Sequence, residues 1–186
     1  MSEITINGET FKLQCGMTDC KNNLHSFHTN KRLQNKGIEK GCCIECRSKL
    51  VDWERVHKKD ISDFGYLKKA LKFEMIRNIY WTIKKPSTKM KEDIRNKTSD
   101  QLSQMVHNRL RTTLEKTREE NDWDGRQTPF DGKLLYWAQH ATGTCCRKCL
   151  EEWYGIDANA NLTQTDYDYL EQIVTNYLLE KSLSDE

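Results

Sequence analysis

The eight cysteines of this 186-residue chain fall into two groups, one towards each end of the sequence. The first group contains Cys15, Cys20, Cys42, Cys43 and Cys46, and the second contains Cys145, Cys146 and Cys149. In a reducing compartment, closely spaced cysteines are typical of metal ligands rather than of disulfides. The sequence therefore predicts two metal sites, with Zn²⁺ as the expected ion.

The N-terminal group is predicted to form a closed zinc site from two cysteine pairs. Its expected ligands are Cys15, Cys20, Cys43 and Cys46. A Cys-x-x-Cys turn can aim two sulfurs at one ion, and four such ligands make a tetrahedral structural site. Cys42 is expected not to bind the ion, although the alternative that the ligand position shifts by one residue stays open. His25 and His28 lie between the pairs, and either could replace a cysteine, contact a phosphate or simply be solvated.

The C-terminal group follows a histidine and predicts a second site. Its expected ligands are His140, Cys145, Cys146 and Cys149. A helix beginning near Thr144 would place the cysteines in its first turn, where free backbone N–H groups stabilise thiolates. Three ligands and a water would make a catalytic site, whereas four ligands would make a structural one. The alternative is that one or two of these cysteines are buried and inert.

Three motifs around the second group resemble a known family. They are Asp124–Pro129 (Asp-Gly-Arg-Gln-Thr-Pro), Ala138–Leu150, which contains His140 and the three cysteines, and Glu152–Ile156. Together they resemble an uncharacterised bacterial family, a domain of unknown function, over roughly residues 100–180. The resemblance implies no activity. Lys133 and Tyr154 stand where the family pattern has histidine, so a role for those histidines would be altered here.

The loop that carries the first of these motifs is a candidate ligand-binding segment. It could lie beside His140 and present Asp124, Gln127 and Thr128 to a small ligand. The alternative is an ordered connection whose polar groups bond to the chain's own backbone.

Charge is distributed unevenly along the chain. Residues 55–97 contain 13 Lys and Arg against 5 Asp and Glu, and residues 150–186 contain 9 acids and 1 base. A basic segment is typical of proteins that bind nucleic acid or another polyanion. The expected contact residues are Lys68, Lys69, Lys72, Arg77, Lys84 and Lys85. The alternative is that the basic and acidic segments complement each other within the fold.

Apolar periodicity predicts the elements that position these groups. Apolar residues three and four apart predict an amphipathic helix from Ser62 to Lys85, ended by Pro86. Tyr80 and Trp81 at its end could stack on unpaired bases. The polar stretch 87–97 is predicted to be a loop. Further helices are predicted after Ser99 or Asp100, near Thr144 and after Thr163.

The predicted fold is mainly α-helical, with a small cysteine-rich module at the N-terminus. The module, which we expect to resemble a zinc ribbon or knuckle with short strands, covers residues 1–57. A helical domain with the second Cys/His group covers residues 58–186. No run of about 18 apolar residues occurs, so no membrane span is expected. Without a secretory signal, a bacterial cytoplasmic location is the expectation.

Several functions fit these features. The first is a zinc-binding protein that binds nucleic acid or another polyanion through the predicted helix 62–85. The second is a metal-dependent hydrolase with its site at His140 and Cys145–Cys149. The third is a redox or iron–sulfur protein, because thiolates at a helix start can hold a cluster. The fourth is a scaffold protein that binds a protein partner through its acidic C-terminal helix.

Overall fold

The computed structural model describes residues 3–6 and 8–184, which form a mainly helical protein with a short N-terminal hairpin. Strands β1 (Glu3–Ile6) and β2 (Glu9–Lys12) are antiparallel, with Ile4 opposite Phe11. The helices are α1 (Lys31–Asn35), α2 (Trp53–His57), α3 (Phe64–Leu71), α4 (Met75–Asn78), α5 (Thr88–Arg95), α6 (Ser99–Leu114), α7 (Leu134–Thr142), α8 (Arg147–Tyr154) and α9 (Gln164–Leu183). The predicted fold class, helical with short N-terminal strands, is confirmed.

Helix α9 lies at the centre of the fold, with α5, α6 and α7 packed against it. Its buried residues Leu170, Ile173, Val174, Tyr177 and Leu178 are those that the sequence pattern predicts. One continuous core also includes residues from the N-terminal region, among them Leu13, Met17, Phe27 and Val56. The boundary near residue 57 stays a prediction. Among the described residues, no helix combines the length and apolar character that a membrane crossing requires.

The single helix predicted from Ser62 to Lys85 is wrong in detail. The chain forms a 3₁₀ turn at Ile61–Asp63, then α3 and α4, and finally a π-helical turn at Ile79–Ile83. Between α3 and α4, Glu74 is extended, and its two neighbours pair with His25. The His25 N–H donates to the Phe73 carbonyl at 2.7 Å, and the Met75 N–H donates to the His25 carbonyl at 2.8 Å. This pairing interrupts the helix and attaches the N-terminal segment.

Other predicted boundaries move by a few residues. The predicted loop at 87–97 contains α5, whose first turn is capped by the Ser87 hydroxyl. Thr98 caps α6 through a reciprocal pair with Gln101. Helix α9 is capped by Thr163 as predicted, again reciprocally, with Asp166. Helix α8 begins at Arg147 rather than Thr144, so two of the three C-terminal cysteines precede it.

Candidate metal centres

Four side chains from two connecting segments, one before and one after α1, converge into what we call the first cluster. It consists of Cys20, His25, Cys43 and Cys46, whose ligand atoms all lie within 4.8 Å of one another. The sulfurs of Cys20 and Cys43 are 3.7 Å apart, and His25 Nδ1 lies 3.4 Å from Cys46 Sγ. Four N and S donors at this spacing could hold a metal ion.

A hydrogen bond at Nε2 holds the His25 ring in one orientation. Nε2 lies 3.1 Å from Asn23 Oδ1, and an amide oxygen can only accept, so Nε2 carries the proton. The other nitrogen, Nδ1, then directs its lone pair towards Cys46. A partner on the far nitrogen is the usual device that fixes a metal-binding histidine.

Hydrogen bonds within the first cluster give its thiols different pKa values. The Ser48 side chain and backbone lower the pKa of Cys46 to about 6, against the effect of burial. Burial and hydrogen bonding with Cys43 raise the pKa of Cys20 to about 12. The cluster therefore favours one thiolate at neutral pH before a cation is present, which is the form that binds metal.

The second cluster consists of Cys15, Cys145, Cys146 and Cys149. The three C-terminal sulfurs lie within 4.8 Å of one another, with Cys145 donating to Cys149 at 3.5 Å. Cys15 packs against these three residues, and its side chain is hydrogen-bonded to Cys149. The three C-terminal cysteines are buried.

Cys15 therefore does not lie with Cys20, as the sequence prediction paired them. Leu13 and Met17 on either side of it are buried in the core, which carries this stretch against the start of α8. The Cys15 carbonyl also accepts a hydrogen bond from Ser26 Oγ at 2.9 Å. His25 occupies the place that the prediction gave to Cys15.

His140 does not lie among the sulfurs of the second cluster. Its Nε2 is 3.2 Å from the carbonyl oxygens of both Thr128 and Pro129, so this nitrogen donates to them. The rings of Tyr80 and Phe130 stack on it. Burial lowers the pKa of His140 to about 4, so the ring is neutral at physiological pH. The structure therefore gives His140 a packing role beside the loop.

Arg77 is the buried cation beside the second cluster. Its guanidinium donates to Cys149 Sγ at 3.0 Å and, through Nε, to Glu74 Oε2 at 3.0 Å. It also donates to the His140 carbonyl at 2.9 Å. Both Arg77 and Glu74 are fully buried, and Trp153 Nε1 donates to the same carboxylate oxygen at 2.7 Å. Arg77 was predicted to contact a polyanion, and its burial makes that prediction wrong.

The acidity of Cys149 follows from these neighbours. Hydrogen bonds from Cys145, Cys146 and Cys15 hold the pKa of Cys149 well below its usual range, and the Arg77 guanidinium acts in the same direction. Cys149 is thus the most acidic thiol of the second cluster, and the thiolate is the form that binds a cation.

Two other residues of the predicted basic surface form ion pairs within the fold. Lys68 donates to Glu180 at 2.5 Å, and Lys84 pairs with Asp131. Tyr80 and Trp81, predicted to stack on bases, are buried. Lys69 and Lys85 are exposed, and Lys72 is half-buried. Polyanion binding through this segment stays a prediction, but these contacts match the alternative of charge complementarity within the fold.

The acidic C-terminal segment contributes to the same internal pairing. Asp166 accepts from Lys59 at 2.5 Å, and Glu171 lies 2.7 Å from His107. Docking of a protein partner through α9 stays a prediction.

The three candidate ligand-binding residues of the 121–129 loop also bond within the protein. Asp124 Oδ1 accepts from Gln127 Nε2 at 2.9 Å and from the Arg147 N–H at 3.0 Å, which satisfies a free donor at the start of α8. Thr128 Oγ1 donates to the Cys145 carbonyl at 2.9 Å. These contacts fix the cysteines of the second cluster, and ligand binding by the loop stays a prediction.

His28 forms a pair with Glu152 at the edge of the second cluster. Its Nδ1 lies 2.7 Å from Glu152 Oε2, and the two side chains are 15% and 10% exposed. Burial is the largest single influence and would lower the pKa of His28, but the hydrogen bond with Glu152 and the negative charges of Cys149 and Glu152 together raise that pKa above 6.5. A raised folded-state pKa means that the pair stabilises the protein below pH 6.5, and that this stability is lost as pH rises through the folded value.

We expect Glu152→Gln to lower the pKa of His28, because the carboxylate charge is lost and only the Cys149 charge then opposes burial. NMR titration of the His28 ring measures this directly. Glu151→Gln is the matched control, since Glu151 is paired at the surface with Lys40 and does not contact the ring. An unchanged His28 titration in Glu152→Gln would contradict the assignment.

Two comparisons with known proteins bear on these clusters. No solved structure matches the chain. The model of the family described as Domain of unknown function (DUF4186) matches residues 65–179, which include Arg77 and the three C-terminal cysteines. The first cluster and Cys15 lie outside the matched residues. The match covers more than half of the sequence, and the chain therefore belongs to the DUF4186 family of domains of unknown function.

Proposed function

We infer that this is a zinc protein with two structural sites that fasten its N-terminal segment to the helical domain. The observation that carries this proposal is the division of the ligands. The first cluster contains four convergent donors, and the second contains three, with Cys15 bonded to Cys149 beside them as the fourth; consecutive cysteines of one segment, Cys15 and Cys20, thus belong to different clusters. Two ions so placed would attach the segment at two points.

The donor types favour zinc. The first cluster offers three thiols and one imidazole, and the second offers four thiols. These are the Cys₃His and Cys₄ sets of closed tetrahedral zinc sites, in which no position is left for water. A closed set supports a structural role over the hydrolase alternative, which needs an open position.

The second cluster also has the surroundings that a charged zinc–thiolate centre needs. Four thiolates on one Zn²⁺ carry a net negative charge, which is unfavourable in a buried site unless it is compensated. The Arg77 guanidinium lies against Cys149 and supplies positive charge and hydrogen bonds. An iron–sulfur cluster with four cysteines would be compensated in the same way, and it would give the purified protein visible absorbance.

Metal content in cysteine variants tests the proposal. We expect two zinc ions per chain in the unaltered protein, measured by mass spectrometry after purification without added metal. Cys15→Ser and Cys20→Ser should each retain one, from opposite clusters, because each loses one ligand. Cys42→Ser is the matched control: Cys42 neighbours Cys43 but belongs to neither cluster, so it should retain both ions.

The double variant Cys15→Ser/Cys20→Ser separates this arrangement from a single shared site. Two independent sites predict loss of both ions in the double variant and of one in each single variant. If Cys15→Ser and Cys20→Ser remove the same ion, the two cysteines are ligands of one site and the proposal is wrong. Iron with visible absorbance in place of zinc would also overturn it.

A further inference from the structure

An open cleft lies beside the second cluster, between the N-terminal segment and the helical domain. It has a volume of about 830 Å³, within the range of small-molecule binding sites. Helix α1 and the residues before it form one wall, and α8 with two loops forms the other. The lining is almost wholly polar and contains five cationic side chains, Lys31, Arg32, Lys40, Arg118 and Lys148, together with four carboxylates.

The carboxylates of this cleft all have donors within the protein. Glu152 is paired with His28, as described above, and Glu151 lies 3.9 Å from Lys40 Nζ. Glu119 accepts from the Asn159 side chain at 3.0 Å, and Asp157 accepts from the Asn159 backbone N–H at 2.7 Å. Each carboxylate therefore already has a donor: a cationic side chain for Glu152 and Glu151, and a neutral N–H group for Glu119 and Asp157.

The cationic side chains of the cleft have fewer partners within the protein. Lys40 is paired with Glu151, and Arg118 Nε lies 3.8 Å from Asp124. Across residues 3–6 and 8–184, however, the side chains of Lys31, Arg32 and Lys148 form no hydrogen bond and no ion pair. Two of these three lie on α1 and the third on α8, so they approach the cleft from opposite walls.

From this imbalance we propose that the cleft binds a phosphate-bearing ligand through Lys31, Arg32 and Lys148. Carboxylates that already have donors, beside three cationic side chains that have no acceptor, together favour an anion as the ligand. Arg32 offers the planar set of donors that matches phosphoryl oxygens, and the two lysines add point charges. The donors of Thr29, Asn30 and Gln34 lie along the same wall for further hydrogen bonds.

The phosphate could belong to a free nucleotide or to a single-stranded nucleic acid, and both share the same recognition chemistry. The proposal moves the anion site from the segment 62–85 to the junction of the two parts of the chain. It does not rest on the identity of the metal, although both walls are positioned by residues near the clusters.

Isothermal titration calorimetry of the full-length, metal-loaded protein tests the proposal. The probes are inorganic pyrophosphate, a nucleoside triphosphate and a short single-stranded oligonucleotide. We expect at least one of them to bind with an affinity that falls as salt increases, since ion release accompanies phosphate contacts. Arg32→Gln/Lys148→Gln should weaken this binding by roughly tenfold or more, because two charged donors are lost.

Lys89→Gln/Lys116→Gln is the matched control, since it removes two exposed lysines that lie outside both the cleft and the segment 62–85. Binding of the oligonucleotide alone identifies a polymer, whereas binding of pyrophosphate or the triphosphate identifies a free phosphate ligand. No binding of any probe, or equal weakening in the cleft variant and the control variant, overturns the proposal. Zinc content measured in every sample separates this outcome from failure of the metal proposal.

Discussion

Removing both metal ions should unfold the N-terminal segment from Leu13 to Leu50 while α6, α7 and α9 stay folded. This segment contains only short elements, of which α1 has 5 residues. Structural zinc supplies about 10–16 kcal/mol of apparent binding free energy per site, and much of that is folding free energy in small metal-held modules. Hydrogen exchange after treatment with a strong chelator measures the effect. The His25 and Ile44 amides, which donate to Phe73 and Ser26, should lose protection.

The control for this experiment lies within the same molecule. The amide of Val174, in the buried part of α9, should stay protected, because α9 packs against α6 and α7 without a cysteine. Adding Zn²⁺ back should restore protection of the His25 and Ile44 amides, whereas Mg²⁺, which prefers oxygen ligands, should not. Full protection of both amides in metal-free protein would show that ions do not hold the segment.

Replacing Arg77 by methionine should destabilise the protein by about 3–5 kcal/mol, the range found when one partner of a buried ion pair is removed. The loss is large because Glu74 keeps its buried carboxylate without its guanidinium partner, and Cys149 loses the donor 3.0 Å from its sulfur. Denaturant unfolding of zinc-loaded protein, compared with the unaltered chain, gives the difference in free energy.

Two further variants show whether the loss comes from the unpaired charge. Glu74→Gln in the Arg77→Met background should recover part of the lost stability, since a neutral amide can still accept from Trp153. Lys69→Met also replaces a cationic side chain by methionine, but at an exposed position on α3. It should change the free energy of unfolding by less than about 0.5 kcal/mol. A small effect of Arg77→Met, similar to that of Lys69→Met, would contradict the role given to Arg77.

The elements of the C-terminal half could be predicted because their signals are local. The Thr163–Asp166 capping pair and the apolar stripe of α9 depend on residues three and four apart, and the structure contains both. The break between α3 and α4 could not be predicted in that way. It depends on backbone pairing of Phe73 and Met75 with His25, which is almost 50 residues away in the sequence, and the apolar stripe continues across it.

The same distinction between local and long-range contacts applies to the candidate sites. Sequence spacing groups Cys43 with Cys46 because their geometry is set by one turn, and the two lie together. The same reasoning pairs Cys15 with Cys20, but the chain between them is long enough for their side chains to reach different clusters. The available signal was the pattern around Cys15: Leu13 and Met17 are apolar neighbours that direct this stretch into the core.

His25 and His140 show that the sequence neighbours of a histidine do not by themselves identify it as a metal ligand. His140 stands next to three cysteines in sequence, yet Tyr80 and Phe130 enclose it and two carbonyls fix its ring. His25 stands alone, yet its backbone pairing at Phe73 holds its ring against Cys46. In both cases residues distant in sequence decide where the ring lies, although for His25 the nearby Asn23 fixes which nitrogen carries the proton.

The central claim is that Cys15 and Cys20, although close in sequence, bind different metal ions. NMR of protein reconstituted with a spin-active cadmium isotope tests it most directly, because coupling to cadmium identifies each ligand. We expect two cadmium resonances, one coupled to the Cys20 β-protons and the His25 ring, and the other to the β-protons of Cys15 and Cys149. Coupling of Cys15 and Cys20 to the same resonance, or of the His140 ring to either, would contradict the account.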